Sequence, residues 1–406
     1  MRHAVGIILF VLAFTAGVRA AEPERKGLLA DLKPGEWVKL QAVLSDKTKD
    51  AGFSSRSWNN LRYDPKSARF YVWEGWCARH SHPRYGFPYT LRRYHIYSDA
   101  LYSFAVPESL KSGKVVFDIE AVSCWSWAPR KRWTLRDPAK DHPKMRTPSP
   151  KDRHPFDSTA FDTKRRGLWQ FGGVNMGGGL GWLSDLWFYD IAQGRWEEFR
   201  PPKAPRVAGA AGIVYVPEQD LLFALVQAPG KLGVWEYHIA KNEWREVTGH
   251  QKAYRLDWRA FHTVYHPRRK RCLFFSALAT GERDEKGKPK KSLHLFAYDP
   301  ATRKMLAGEP VKSPEGYGFE MTLDAKRDRL LCLKPSGPGK GVPMDLWACG
   351  VEANAFSRLG VRGTPPPRQS GAPCTFAWDE TNDLYVVWRS KAVYVLRPED
   401  KDKDTR

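Results

Sequence analysis

The residues best suited to chemistry fall in one stretch, Cys77-Ala78-Arg79-His80-Ser81-His82-Pro83-Arg84-Tyr85, continuing to Arg92-Arg93-Tyr94-His95-Ile96-Tyr97. Arg79, Arg84 and Arg93 offer planar forks for carboxylate or sulfate groups, and Tyr94 offers a flat face for a sugar ring. With His80, His82 and His95 they read as a cradle for an anionic or glycan ligand, set against the plainer reading of a solvated basic loop. A metal is not expected, because two His alternating with Arg and no nearby carboxylate make a poor ligand set. Arginine also recurs at Arg56, Arg153, Arg206, Arg259 and Arg368, each just ahead of one of the repeating units described next. Pointing inward, these side chains would gather positive charge for an acidic ligand; bonded to backbone carbonyls, they would brace joints. Both readings stay open. Gly177-Gly178-Gly179-Leu180-Gly181 is no phosphate loop, since it joins two strands rather than a strand and a helix.

What must position these residues is a repeat. An aromatic or apolar residue, usually an Asp, a short charged turn and an apolar strand recur six times, as in Leu61-Arg62-Tyr63-Asp64 before Phe70-Tyr71-Val72-Trp73 and Ala377-Trp378-Asp379 before Leu384-Tyr385-Val386-Val387. Each copy reads as a tight hairpin. The anchors at 162, 216, 266, 324 and 379 are separated by 54, 50, 58 and 55 residues. A second hairpin follows, with Tyr189 and Trp196, Tyr237 and Trp244, Tyr298 and Met305, and Cys349 and Phe356 each seven apart. Antiparallel geometry sends the first-to-second and third-to-fourth turns to one end of such a unit and the remaining connections to the other. The first class is uniformly short. The second holds every long loop, 77–99, 123–158, 172–184, 279–292 and 334–344, so binding residues are expected at that end.

One copy carries a fuller motif: Gln170-Phe171-Gly172-Gly173, then Asp185-Leu186-Trp187-Phe188-Tyr189-Asp190, then Gly194-Arg195-Trp196. It resembles a kelch repeat, with a diglycine after the second strand, Tyr-Asp on the third and Trp on the fourth. Elsewhere the diglycine is missing, so the chain resembles a divergent relative of the kelch and galactose-oxidase central-domain propellers, loosely over residues 36 to 398. The resemblance implies an all-β, six-bladed propeller of four-stranded antiparallel blades. Gly35-Glu36-Trp37-Val38-Lys39-Leu40 has the sequence of the fourth strand that the last copy lacks, and it is expected to close that blade. The 98 residues from Asp64 to Asp162 leave 123–158 as an insertion, or make room for a degenerate seventh blade. Some such propellers are copper-radical oxidases, but Tyr265-His266, an adjacent Tyr-His pair, falls at a turn position of the repeat, and no cofactor is expected. Others are epimerases of acidic sugars, which an arginine-lined channel would suit.

Composition bounds the rest. The 406 residues include 17 Trp, 16 Tyr and 20 Phe, too many for a chain that stays disordered, and they are expected to pack between repeats. Met1 to Ala20 reads as a signal peptide, with an apolar run from Val5 to Val18 and a small-x-small cleavage pattern. One domain over 21–398 and a charged tail over 399–406 complete the expected layout, secreted or periplasmic. The formal charge is +21, or +19 once Arg2 and Arg19 are removed. The basic residues are dispersed among acids in an exported chain, so nucleic acid is not expected as a specific partner. The six cysteines either form disulfides or remain buried thiols. The expectation is a monomer that binds a carbohydrate, an acidic polymer or another protein through its long-loop end; the alternative is an enzyme for acidic sugars, which needs a buried acid or base beside the arginines.

Overall fold

Short runs of β-branched and aromatic residues, closed by four-residue turns, pair as antiparallel strands. The computed structural model describes residues 29–45, 60–75, 99–135, 145–247, 262–312, 320–368 and 375–399, with short gaps. Unit I is built from Asn60–Asp64, Arg69–Gly75, Asp99–Phe104 and Lys114–Ser123. Unit II has Thr159–Asp162, Gly167–Asn175, Gly181–Asp190 and Arg195–Phe199, and unit III has Ala211–Val216, Leu221–Ala228, Lys231–His238 and Glu243–Glu246. Unit IV has Thr263–His266, Arg271–Arg283, Pro289–Asp299 and Lys304–Pro310, and unit V has Glu320–Asp324, Arg329–Pro335, Met344–Gly350 and Phe356–Arg358. Unit VI has Phe376–Asp379, Leu384–Arg389 and Ala392–Leu396. Units II to V are separate four-stranded antiparallel sheets, each in simple sequence order. Tandem sheets of this kind are the layout of a β-propeller.

The strand registers follow the repeat. Asp64 faces Arg69, Asp162 faces Gly167, Val216 faces Leu221, His266 faces Arg271, Asp324 faces Arg329 and Asp379 faces Leu384. The four pairs spaced by seven, Tyr189 with Trp196, Tyr237 with Trp244, Tyr298 with Met305 and Cys349 with Phe356, are direct cross-strand partners.

The N-terminal strand Glu36–Leu44 supplies the fourth strand of unit VI, pairing antiparallel with Ala392–Leu396 from Trp37↔Leu396 to Gln41↔Ala392. Its second half continues past that partner and pairs in parallel with Lys114 to Phe117 of unit I. Units I and VI therefore share one sheet. The first strands make the contacts between units: that of unit I lies against those of II and VI, and II against III, III against IV, IV against V and V against VI follow in turn.

The aromatic residues fill the spaces between the sheets. Tyr71 stacks on Phe161 and Trp73 meets Trp196 edge-on between units I and II. Phe171 packs on Trp244 between II and III, Phe223 on Tyr298 between III and IV, Phe275 on Phe356 between IV and V, and Phe117 on Trp388 between I and VI. The diglycine earns its place in unit II: Gly172 and Gly173 have φ of 64° and 109°, and the ladder to the third strand shifts register there.

The stretch 123–158 has strands of its own, a hairpin of Trp125–Ala128 with Arg132–Leu135 and a two-residue strand, Met145–Arg146, parallel to Val122 and Ser123. Its last residues turn inward, burying Arg153, Phe156, Asp157 and Ser158. Cys272, Cys332 and Cys349 are buried free thiols. Cys332 faces Trp347 while Cys349 faces Leu330, a two-residue stagger. The expected signal peptide, the tail beyond Glu399, and Cys77, Cys124 and Cys374 lie outside the described residues. No described helix is long and apolar enough to cross a membrane.

Candidate functional site

At the end bearing the short turns, each first strand enters a four-residue loop whose last residue is left-handed, with φ between 51° and 55° at Ala68, Arg166, Asp220, Lys270, Asp328 and Asp383. The repeat aspartates cap these loops. Asp64, Asp162, Asp324 and Asp379 accept from the backbone N–H of Lys66, Lys164, Arg327 and Asn382 at 3.0–3.1 Å.

The same loops join neighbouring units through polar contacts that return to unit I. Arg166 bonds Asp64 at 2.8 Å between II and I, and Arg165 and Lys164 bond Asp220 at 2.6 and 2.7 Å between II and III. Tyr265 donates to Glu218 between III and IV; His266 and Arg269 reach Asp328 between IV and V. Arg327 and Lys326 reach Asp383 at 2.7 and 2.5 Å between V and VI, and Tyr63 donates to Asp379 between VI and I. The Arg269 guanidinium holds Asp328 down to about 2. Against the cost of burial, Arg327 and Lys326 hold Asp383 down to about 2. Burial, and then the Asp379 carboxylate, push the Tyr63 phenol well up. Tyr265 and His266 are both occupied here, so this pair is a joint between units.

The opposite end is built differently. Arg153 is fully buried, donating to the Gly172 carbonyl at 2.9 Å and gripping both oxygens of Asp185 at 2.5 and 2.8 Å. Burial opposes the charge of Asp185, but Arg153 and the Trp187 N–H hold its carboxyl below the usual range. Of the two readings of the recurrent arginines, Arg153 follows the brace, and what it braces is the diglycine.

Asp157 sits where four units meet. Its Oδ1 accepts from Arg62 of unit I at 2.5 Å, its Oδ2 accepts from the Thr263 N–H of unit IV at 2.7 Å, and its carbonyl accepts from Ile213 of unit III at 3.0 Å. Burial, countered by Arg62, pushes Asp157 up to about 6. Glu320 is buried against Arg389, which also holds the Pro367 carbonyl and Thr375. Burial pushes Glu320 up, with Arg389 opposing. One of its oxygens, Oε2, is unbonded, as are both amide atoms of buried Asn60.

The arginines left over at this end are exposed. Arg206, on the connection from II to III, is exposed and has no ion-pair partner among the described residues. Arg368, on the connection from V to VI, reaches among the described residues only the Gly339 carbonyl, at 3.4 Å. Arg79, His80, His82, Arg84, Arg93, Tyr94, His95 and Arg259, together with Arg56, lie outside the described residues. The connection bearing the first seven leaves and re-enters the sheet at Gly75 and Asp99, which face each other at this same end. Among the described residues no group of three or more His, Cys, Asp or Glu could hold a metal ion.

Asp157, Arg62, Glu320 and Arg389 were not singled out from the sequence. Arg62 and Glu320 are the ones it could have disclosed, as charged residues next to the apolar Leu61 and Met321 of first strands.

The scaffold is that of a β-propeller, with polar joints between units at its turn end and Arg206 and Arg368 exposed at the other. No family model matches the chain, and neither does any curated protein. Among solved structures it is similar to TolB from Acinetobacter baumannii, at 9% identity and a TM-score of 0.40, covering 83% of this chain and 64% of that one. It is similar also to an oligogalacturonate lyase from Vibrio parahaemolyticus, at 10% and 0.46, covering 90% and 99%. A third is the GH74 xyloglucanase from Xanthomonas campestris, at 12% and 0.44, covering 86% and 53%. The chain thus spans less than two thirds of the length of TolB and of the xyloglucanase. At these identities none of the three passes on a residue or an activity.

Proposed function

We propose that the chain is an exported, monomeric, kelch-type propeller of six blades that binds an acidic carbohydrate or similar polyanion at the end carrying its long connections. Six blades are supported by the first strands, which touch in cyclic order, and by the polar contacts that return from unit VI to unit I. One observation carries the binding reading: exposed arginines at the connection end have no carboxylate partner among the described residues. At the turn end, arginines are taken up by Asp220, Asp328 and Asp383. At the other end, Arg206 and Arg368 have no carboxylate among the described residues, and the sequence of the connection 76–98 contains Arg79, Arg84, Arg92 and Arg93 with no Asp, Glu or Lys. Unpaired guanidinium groups gathered on one face attract polyanions and fork onto carboxylate or sulfate.

The enzymatic alternative, an epimerase of acidic sugars, requires a free acid or base beside the arginines. Asp157 and Glu320 are buried carboxylates beside arginines at this end, but Arg62 and Arg389 bond them and only Glu320 Oε2 is left unbonded, which favours the binding reading.

The test is a binding isotherm of the purified mature protein on heparin, polygalacturonate and neutral dextran, at low and high salt. Binding to the two acidic polymers that weakens with salt, and that falls at least about tenfold when Arg79, Arg84, Arg92 and Arg93 become Ala, is expected. Equal binding to dextran, or none to either acidic polymer at low salt, would overturn the proposal.

A further inference from the structure

Unit IV holds a constellation that neither the propeller scaffold nor polymer binding calls for. Ser292 and His294 lie two residues apart on the strand Pro289–Asp299, and so project from the same face of the sheet. The Ser292 Oγ is 2.6 Å from His294 Nε2, and His294 Nδ1 is 2.9 Å from the Gly308 carbonyl oxygen. A carbonyl can only accept, so Nδ1 carries the ring proton. Nε2 then presents its lone pair to the serine hydroxyl. This is the arrangement of a nucleophile, its base, and a group that fixes the tautomer and direction of the base.

The support around the pair is built in. Leu295 faces Glu309 and Ala297 faces Leu306, which leaves Ala307 and Gly308 together opposite Phe296. That bulge releases the Gly308 carbonyl from the ladder, and bulges re-aim groups in this way beside active sites. Only glycine fits: a Cβ at 308 would meet the Phe296 ring at 2.5–2.7 Å. The same Phe296 ring stacks on the His294 imidazole, with centroids 6.1 Å apart. Ser292 and His294 are themselves half-buried, and their strand begins at the end of the molecule that bears the long connections.

We propose that Ser292 and His294 form a catalytic pair that hydrolyses a carboxylic ester. Ser292 Oγ bonds to the acyl carbon as its proton passes to His294 Nε2. The ester C–O bond breaks, and the departing alcohol takes that proton. Water then gives a proton to the same nitrogen and its oxygen to the acyl carbon, releasing a carboxylic acid and restoring the serine hydroxyl.

The experiment treats the full mature protein with a fluorophosphonate, which loses fluoride on capture by an activated serine, and maps the adduct by mass spectrometry. Hydrolysis of p-nitrophenyl acetate is followed in parallel. The adduct is expected on Ser292 and absent in Ser292→Ala. His294→Gln should slow both reactions about a hundredfold or more and remove the single ionisation from the pH profile of hydrolysis. No adduct on the folded native protein, an adduct on another serine such as Ser276, or a hydrolysis rate indifferent to both substitutions would overturn the proposal. The adduct map on the native protein decides the matter even where a variant fails to fold.

Discussion

The two ends of this molecule both use arginine in joints, but only the connection end leaves Arg206 and Arg368 exposed without a carboxylate among the described residues. At the turn end, Arg165, Arg269 and Arg327 each bind a carboxylate across a junction between units, and their charge is consumed in holding the circuit together. At the connection end, Arg153 and Arg389 are sunk into the joints, while Arg206 and Arg368 are left facing solvent. An overall charge of +21 is therefore not in itself a sign of a polyanion site. What points to one is the part of the charge that the scaffold does not use.

The comparison can be broken most severely at Asp324. It is fully buried and receives Arg327, Arg329 and the Tyr385 hydroxyl. Asp324→Ala removes the carboxylate that Arg329 pairs with and one of the two that hold Arg327, and should cost about 3–5 kcal/mol, read as a lowered urea midpoint at unchanged slope.

Next in size is a difference in pH dependence. The Asp157 carboxyl is at about 6 in the fold against an ordinary value of 3.8, so the native state holds its proton more tightly. Its contribution is complete below about pH 4 and disappears as pH rises through 6, a loss of about 3 kcal/mol. Asp157→Asn should remove that slope. Asp328 and Asp383, held at about 2, have the opposite sign: their contribution is present above about pH 4 and disappears as pH falls through 2. Melting temperature against pH, in the native protein and in Asp157→Asn, separates the two ends.

A smaller effect follows at Lys164, whose side chain is 62% exposed in its pair with Asp220. Lys164→Ala should cost no more than about 1 kcal/mol by the same urea measurement. Smallest is Arg206→Ala, expected to change stability by less than about 0.5 kcal/mol. It should nevertheless weaken low-salt retention on heparin, and a retention time equal to that of the native protein would remove Arg206 from the binding face.

Much of the scaffold was legible because the repeat writes its own register. An Asp at the end of four of the six first strands, and aromatic or apolar residues seven apart, placed cross-strand partners to the residue. The circuit of ion pairs was not legible, since Arg166 meets Asp64 and Lys326 meets Asp383 only once the order of the units is closed. Val216 and His266 stand where the repeat has Asp, and nothing in the sequence says that His266 would turn to Asp328 instead. Asp157 was hidden for another reason: it ends a Pro- and Lys-rich stretch with no periodicity, and its partners come from three other units. The spacing of Ser292 and His294 was visible as two polar residues on one face of a strand. Their acceptor, Gly308, depends on a bulge that no pattern announces.

The strand Glu36–Leu44 gives this fold an awkward birth. Among the described strands it is the first to be synthesised, and its antiparallel partner Ala392–Leu396 is the last. At ordinary translation rates of roughly 5–20 residues per second, the two are made some tens of seconds apart. Throughout that time Trp37, Leu40 and Ala42 belong to a strand with an open edge, which invites pairing with the wrong chain. Contacts so distant in sequence also make for slow folding. The closing of this seam is the step at which the newly made protein is most exposed to aggregation.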